Sequence, residues 1–284
     1  MWRISYLGYS KDMLSFLNGD NQFELAYVVG TKGRLSDEYL KLARTGNYEF
    51  VEIEDKNDLL SHEEIFLNSD VVLMYKFEFI IPESMIKRSR IINFHGGDLK
   101  TNRGSHAVVW SVLLREKSTC LSCYELTGGI DEGYLIDQYD IEINRDDSVT
   151  DVNAKLAHGI PKLLESLKEY FLGKREAVLV TDGIYRRKVE KVDYTIDIEN
   201  DFVDEIRGKI LSQTAYNGAV VIKDRTEYRT KSYKNIDPLQ CAKRREIVAK
   251  DNTITIKDAD DGIMLYMCNY EDIHFSMKEE RYER

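Results

Sequence analysis

The first half of the sequence alternates short apolar, β-branched runs with segments of helical period, and this alternation constrains the fold more than any other feature. The runs are RISYLGY, ELAYVV, EFVEI, DVVLMY and RIINFH, separated by segments such as SKDMLSFL and DLLSHEEIFL. Alternating β and α units form a mostly parallel sheet with helices on both faces. DVVLMY, residues 70–75, is apolar nearly throughout, so we expect this strand near the sheet centre. The sequence therefore predicts a Rossmann-like α/β domain over residues 1–175.

A long amphipathic helix is predicted to close this domain. It begins at Ser148, where SVTD forms a capping-box pattern, and ends at Gly173. Pro161 falls inside the stretch, and a proline in a helix interior produces a kink.

Beyond residue 175 the pattern changes to one short helix and several strands. Residues 176–205 are predicted to form a connecting segment that includes the strand-like run YRRKVEKVDYTIDI. Residues 206–275 follow as a small OB-like β module, a barrel or sandwich, with the strands AVVIK, EYRTKSY, TITIKD and GIMLYMCNY. Its helix, FVDEIRGKIL, begins just before residue 206. Residues 276–284 are predicted to be a mobile tail.

Composition excludes several classes of protein. The formal net charge is −10, so neutralising nucleic-acid phosphates is not expected to be the main function. No apolar run approaches the ~20 residues that cross a bilayer, and the N-terminus lacks a signal-peptide pattern, so we expect no membrane association and a cytoplasmic location. Four cysteines are too few for a disulfide framework. Cys120 and Cys123 should point to opposite faces of one strand, so no metal site is expected.

A basic run near the C-terminus leaves two interpretations open. KDRTEYRTKSYK and AKRRE, with Tyr228 and Tyr233 interleaved, are typical of a surface for RNA or nucleotide phosphates. A solvated strand edge guarded by lysines and arginines is the commoner explanation for such a run.

Two polar elements carry the candidate chemistry. Ligands of open α/β sheets bind beyond the carboxyl ends of the strands, and RIINFHGG is such an end. Asn93 and His95 are two residues apart and project from the same face, while Gly96 and Gly97 permit backbone conformations closed to other residues. Asp131 lies in the glycine-rich segment LTGGIDEGYLI. Taken singly, each element also fits an ordinary loop, and the lack of Gly-x-Gly-x-x-Gly after the first strand argues against a dinucleotide.

In combination these elements resemble the signature of the folate-dependent formyltransferases. That family carries, in this order, an Asn-x-His at a strand end, an Arg-Gly entering a helix with a tryptophan, and an Asp-x-Gly. The matching residues here are Asn93, His95, Arg103, Gly104, Trp110, Asp131 and Gly133. The usual Leu-Pro after the histidine is replaced by residues 97–100, and a histidine often found before the aspartate corresponds to Tyr124.

The resemblance implies a catalytic set of Asn93, His95 and Asp131. Formyl transfer to an amine needs an oxyanion to be held and a proton to move from the attacking to the leaving nitrogen. Asn93 would donate to the oxyanion, and His95 would carry the proton with Asp131 orienting it. The co-substrate would be 10-formyltetrahydrofolate, without a metal.

The resemblance also implies where the ligands bind. The pterin would lie against the loop after DVVLMY and the loop before Asp131. Predicted folate contacts are Tyr75, Phe77, Phe79, Ile80, Gly129 and Asp131. Predicted acceptor contacts are Lys76, Arg103 and Tyr124.

Within the family, the sequence is most similar to the sugar N-formyltransferases. The acceptor would then be the 4-amino group of a nucleotide-linked dideoxy sugar made for bacterial surface glycans. The net charge and the lack of a long basic insertion between Gly96 and Arg103 favour this small anionic acceptor over a tRNA. A methionyl-tRNA formyltransferase, supported by the OB-like module, and a non-catalytic folate or nucleotide sensor are the alternatives. The identity of the sugar and nucleotide stays open, as does the oligomeric state, with a homodimer as one option.

Overall fold

A computed structural model describes residues 1–238, 245–250, 252–258 and 260–269. The tail predicted at 276–284 lies outside the described residues, as does part of the basic segment AKRRE.

The N-terminal part of the chain is built on an eight-stranded sheet. Its strands are β1 (Trp2–Gly8), β2 (Phe23–Thr31), β3 (Glu49–Ile53), β4 (Val71–Tyr75), β5 (Ile91–His95), β6 (Ser118–Leu126), β7 (Gly133–Glu142) and β8 (Val178–Val180). They lie in the order β3-β2-β1-β4-β5-β6-β7-β8. The first five run parallel to one another and the last three add antiparallel pairs. The predicted α/β class is confirmed, and β4 is buried at every position between β1 and β5.

Helices cover both faces of this sheet. They are α1 (Lys11–Gly19), α2 (Asp37–Ala43), α3 (Lys56–Ser61), α4 (Glu64–Leu67), α5 (Glu83–Ile86), α6 (Ala107–Leu113), α7 (Val149–Ala157) and α8 (Ile160–Phe171). Along β4, Leu73 packs into the core beneath α1, α2 and α6–α8, whereas Val72 and Met74 pack beneath α3–α5. This two-sided burial explains why the strand is apolar throughout. None of the helices in the described ranges has the length and apolar character of a membrane span.

The helix predicted from Ser148 to Gly173 is in fact two helices. Ser148 caps α7, and Asp151 completes the capping box by accepting a hydrogen bond from the Ser148 N–H at 2.9 Å. Gly159 separates the two helices, and Pro161 lies in the first turn of α8. A proline is tolerated there because its missing N–H would have no partner within the helix. Pro161 therefore begins the second helix instead of kinking one long helix.

Where the structure describes it, the C-terminal part consists of one helix and two small sheets. The elements are α9 (Val203–Gln213), β9 (Thr195–Ile196), β10 (Ala219–Lys223), β11 (Thr226–Thr230), β12 (Tyr233–Asn235), β13 (Glu246–Lys250), β14 (Thr253–Lys257), β15 (Gly262–Tyr266) and β16 (Cys268–Asn269). The sheets have the orders β16-β11-β10-β9 and β12-β15-β14-β13 and share one apolar core with α9. Much of the run predicted as a connecting strand is instead irregular, with a 3-10 turn at Lys191–Tyr194 before β9.

Arg207 of α9 joins this part to the main domain through buried charge. Its guanidinium is fully buried, with Nη1 donating to Asp204 at 2.8 Å and to Asp261 at 3.1 Å. Asp146, in the loop between β7 and α7, lies 3.7 Å from its Nε and accepts a hydrogen bond from Tyr233 at 2.5 Å. A cation without solvent access needs such partners, so this cluster fixes the module against the loop.

Candidate functional site

The candidate polar residues meet at the ends of β5 and β6. Asn93 lies directly opposite Tyr124 in the antiparallel ladder, and His95 follows two residues later on the same face. Asp131 lies in the turn between β6 and β7, with φ of 49°, a left-handed conformation that aspartate adopts more readily than most residues. The order of the parallel strands reverses between β1 and β4, so the cluster lies on the strand next to that reversal.

A directed chain of hydrogen bonds connects Asn93 to Asp131. Asn93 Nδ2 donates to Tyr124 Oη at 2.8 Å, and Tyr124 Oη donates to Asp131 Oδ1 at 2.7 Å. Burial and the charge of Asp131 raise the pKa of Tyr124 well above its usual value. The phenol therefore stays protonated and can act as the middle member of the chain.

His95 is held by its other neighbours in a defined tautomer. Its Nε2 lies 2.8 Å from the backbone oxygen of Asn102. A carbonyl oxygen can only accept, so Nε2 carries a proton. Nδ1 faces Asp131 Oδ2 at 3.6 Å, and both side chains remain slightly exposed, 10% and 13%. The proton that His95 can exchange is therefore the one on Nδ1, beside the carboxylate.

Gly104 explains the Arg-Gly of the motif. Its N–H donates to Asp131 Oδ2 at 2.7 Å, and its φ is +94°. A Cβ at this position would lie 2.3 Å from the backbone oxygen of Arg186. Glycine is therefore required both by the backbone conformation and by the close approach of the chain.

Gly96 and Gly97 fulfil a different role from the one predicted. Neither has a positive φ, so the left-handed conformation expected for them is absent. Space is the constraint at Gly97, because a Cβ there would lie 2.7 Å from the Asn102 oxygen and 3.0 Å from His95 Nε2. The glycine lets the histidine and its carbonyl acceptor approach each other.

Arg103 and Tyr124, predicted to contact an acceptor, are both buried. Arg103 donates to Leu99 O at 2.8 Å and to Glu132 Oε1 at 2.9 Å, which ties the loop after β5 to the turn that carries Asp131. Burial and pairing fit support of the site more closely than contact with a ligand.

The loop after β4 holds most of the predicted folate contacts. Tyr75 is buried and packs edge-on against Phe94 at 6.3 Å, so its side chain is not available to a ligand. Phe77 and Phe79 are half-buried and meet edge to face at 5.5 Å, whereas Ile80 is 64% exposed.

The turn before Asp131 lies beside this loop. A Cβ on Gly128 would be 3.9 Å from the side chain of Glu83 in α5, and the next residues are Gly129 and Ile130, which is 46% exposed. The two segments border a region with exposed apolar side chains next to the polar cluster.

Lys76 stands at the end of β4 in a strained conformation. Its φ is 54°, unusual for a residue other than glycine, asparagine or aspartate. Its ammonium lies 5.5 Å above the Tyr75 ring, and burial lowers the pKa of Lys76. The charge of Asp12 partly opposes this lowering, but within the described ranges no carboxylate forms an ion pair with the ammonium.

The two cysteines of β6 behave as apolar side chains. Cys123 packs into the core beneath α8, and Cys120 is buried beside Ser122. Burial raises the pKa of Cys120 to about 12, so its thiol stays protonated and is a poor metal ligand.

Three comparisons relate this architecture to known proteins. The family model described as formyl transferase matches residues 44–166. Methionyl-tRNA formyltransferase of Thermosynechococcus vestitus is 28% identical over 134 residues, 46% of this chain and 40% of that protein. The solved structure of WlaRD, a sugar 3N-formyl transferase with dTDP and 5-N-formyl-THF, has a TM-score of 0.72 at 18% identity and covers 95% of this chain and 98% of its own. An N-formyltransferase of Helicobacter canadensis, in complex with folinic acid and dTDP-3-aminofucose, has a TM-score of 0.66 at 14% identity and covers 94% and 100%.

The fold and the cluster define an α/β protein with an amide, an imidazole and a carboxylate gathered at the end of one strand. Residues 44–166 match the formyl transferase family model, which confirms the resemblance seen in the motifs. The chain spans less than two thirds of the length of the curated relatives it matches, for example 40% and 51% of two methionyl-tRNA formyltransferases.

Proposed function

We propose that this protein transfers a formyl group from 10-formyltetrahydrofolate to the amino group of a nucleotide-linked amino sugar. The observation that carries the proposal is the convergence of Asn93, His95 and Asp131, with an imidazole Nδ1 3.6 Å from the carboxylate. These are the residue types that the reaction needs, in the order of the family motif.

The mechanism follows from the hydrogen-bond directions. When bound, 10-formyltetrahydrofolate would supply the formyl group. The second N–H of Asn93 Nδ2 donates to the carbonyl oxygen that gains charge as the amine attacks. His95 Nδ1 accepts the proton released by the amine and returns it to the departing nitrogen, while Asp131 stabilises the imidazolium.

The residues beside the cluster fit a flat ring with polar edges. Phe77 and Phe79 supply an apolar wall, and the exposed Ile80 and Ile130 are large apolar side chains that a ligand would cover. The backbone groups of the two loops supply donors and acceptors for the polar edge of the ring. Asp131 borders the same region and is proposed as a further contact of the folate.

A nucleotide sugar is the acceptor that the charges favour. The net charge of −10 offers little field to attract a polyanion. Lys76 is a cation that forms no ion pair in the described ranges, with Asp12 as the carboxylate whose charge acts on it, and it is suited to a diphosphate. The nearly complete mutual coverage with WlaRD and with the dTDP-3-aminofucose complex supports the same choice. Because the first of these is a 3N-formyl transferase and another similar structure is a 4-N formyltransferase, the position of the amino group must be tested.

The deciding experiment measures formylation of dTDP- and UDP-linked 3-amino and 4-amino dideoxy sugars with 10-formyltetrahydrofolate. We expect turnover with one of them, and a loss of about 100- to 1000-fold in kcat when Asn93 is replaced by Ala. Affinity for such an acceptor should fall gently with salt, because few phosphates are neutralised. Absence of turnover with every amine, together with retained folate binding, would indicate a non-catalytic sensor.

Methionyl-tRNA formyltransferase is the second candidate, because the curated relatives carry that name. A tRNA acceptor would give a steep salt dependence, with about 10³- to 10⁵-fold weaker binding between 50 and 200 mM salt. Faster formylation of charged initiator tRNA than of any amino-sugar nucleotide would select this candidate and leave the roles of Asn93, His95 and Asp131 intact.

A further inference from the structure

Tyr124 reaches the reactive residues with a single atom. Its side chain is fully buried, and its ring is enclosed by Leu99 and Val180. Its hydroxyl lies 2.8 Å from Asn93 Nδ2 and 2.7 Å from Asp131 Oδ1. A side chain without exposed surface acts on a substrate only through its neighbours.

The directions of these two hydrogen bonds decide how the amide of Asn93 is oriented. The hydroxyl has one proton, and a carboxylate can only accept, so this proton points to Asp131. The phenol oxygen is then left as an acceptor, which selects Nδ2 of Asn93 over Oδ1. Asp131 thus controls the orientation of the Asn93 amide through Tyr124.

Orientation matters because the two ends of an amide have opposite polarity. With Nδ2 bound to Tyr124, the second N–H of Asn93 has no other partner in the described part of the chain. An amide rotated by about 180° would present Oδ1 and repel an oxygen that gains negative charge.

We infer that Tyr124 is a positioning residue whose hydroxyl, held by Asp131, keeps the Asn93 amide turned so that its free N–H faces the developing oxyanion. The inference rests on the function proposed above. It assigns to Tyr124 a role in the transition state and not in binding the acceptor.

The first test is Tyr124→Phe, which keeps the ring and its packing and removes the hydroxyl. We expect kcat to fall about 10- to 100-fold while KM for the folate co-substrate stays within about twofold. Tyr170→Phe is the matched control: it removes a hydroxyl that donates to Glu125 at 2.9 Å, outside the cluster, and should keep full activity. A rise in KM for the acceptor with unchanged kcat would overturn the inference.

A double-mutant comparison with Asn93 distinguishes a positioning role of Tyr124 from a general structural effect. In an Asn93→Ala background, Tyr124→Phe should cost less than about threefold, because the amide it orients is gone. The same loss in both backgrounds would contradict a role through Asn93.

A measurement on the protein without substrates makes the inference independent of the enzyme assay. The side-chain NH2 pair of Asn93, assigned by its loss in Asn93→Ala, should show one slowly exchanging proton in the ¹⁵N-labelled native protein and none in Tyr124→Phe. Equal exchange of both protons in the native protein would overturn the inference even if formyl transfer occurs. A protected proton in a protein that formylates no amine would instead reject the proposed function and leave the role of Tyr124 in orienting Asn93 standing.

Discussion

The tautomer of His95 is set by a backbone carbonyl oxygen, that of Asn102. The Asn102 carbonyl fixes the proton on Nε2 and leaves Nδ1 to exchange protons beside Asp131. The contact exists because residue 97 has no side chain. The tautomer therefore depends on the close packing of the loop that follows β5.

The first prediction is that Gly97→Ala lowers turnover without unfolding the protein. The added Cβ would come within 2.7 Å of the Asn102 oxygen, so that carbonyl must move away from His95 Nε2. We expect a loss of about tenfold or more in kcat, since small misplacements of catalytic groups have large effects on rate. Steady-state kinetics, with a circular dichroism spectrum to verify the fold, would measure it, and wild-type kcat would show that the carbonyl does not fix the histidine.

Sequence reasoning found the side chains of the cluster but not the way they are connected. Asn93, His95 and Asp131 belong to a recognisable motif, and the structure brings them together. The backbone partners, the Asn102 carbonyl and the Gly104 N–H, could not be predicted, because every residue except proline has both groups and the sequence does not show which of them approach the site. Tyr124 carried a usable signal, its place in the strand before Asp131, but burial decides its role and burial depends on the whole sheet.

At the scale of elements, the junction between α7 and α8 needs a glycine because of the space available there. Gly159 caps α8 with φ of −79°, a conformation open to any residue. A Cβ there would lie 2.4 Å from the ring of Tyr139 and 2.7 Å from its Cβ. Contact with the base of a side chain leaves little freedom to adjust, so the strand and the helix pair approach as closely as glycine allows.

Gly159→Ala is therefore predicted to destabilise the protein by about 1–3 kcal/mol, the usual cost of overpacking. Gly19→Ala is the matched control, because a Cβ at the end of α1 would have nothing within 4 Å. Losing glycine's freedom in the unfolded chain should stabilise that variant by about 0.4–1 kcal/mol. Urea unfolding of both variants measures the difference, and equal stabilities would contradict the steric account.

The elements themselves were largely predictable where burial imposes a pattern. The five parallel strands and α9 follow apolar runs, because a strand covered on both faces or a helix over a core must be apolar there. The break at Gly159 and the strand β8 were missed, since both depend on contacts with β7 that are distant in sequence. The division of the C-terminal strands into two small sheets likewise depends on long-range pairing.

At the scale of the whole molecule, Arg207 carries the charge that joins the two parts. Arg207→Met keeps most of the volume but removes one of two arginine partners from each of Asp204 and Asp261, which retain Arg115 and Arg145 respectively. We expect a loss of about 3 kcal/mol, the low end for a broken buried pair, because both carboxylates keep some solvent contact. Arg88→Ala removes an exposed pair with Glu63 and should cost less than about 1 kcal/mol. Similar unfolding free energies for the two variants would mean that the Arg207 cluster does not hold the module in place.

Buried phenols and thiols in the core should make the free energy of unfolding fall at alkaline pH. Six buried groups have a pKa raised above its ordinary value mainly by burial: Tyr6, Tyr39, Tyr75, Cys120, Cys123 and Tyr124. In the unfolded chain the thiols lose their protons near pH 9 and the phenols near pH 10, whereas the folded protein retains them. The unfolded state then binds fewer protons, so the free energy of unfolding falls as pH rises.

This stabilisation is fully present below about pH 9 and should be lost above it, by about 1.4 kcal/mol per pH unit for each group that titrates in the unfolded chain alone. Urea unfolding at about pH 8, 9.5 and 10.5 would measure the slope. Cys123→Ala removes one titrating group, so the unfolding free energy should fall less steeply with pH between about pH 9 and 10, by the contribution of that one thiol. Any loss of packing in this variant lowers the unfolding free energy at every pH and leaves the slope unchanged. An unfolding free energy that stays constant from pH 8 to about 10.5 would mean that these side chains reach solvent in the folded protein. Tyr124 could then no longer be treated as a buried phenol that stays protonated between Asp131 and Asn93.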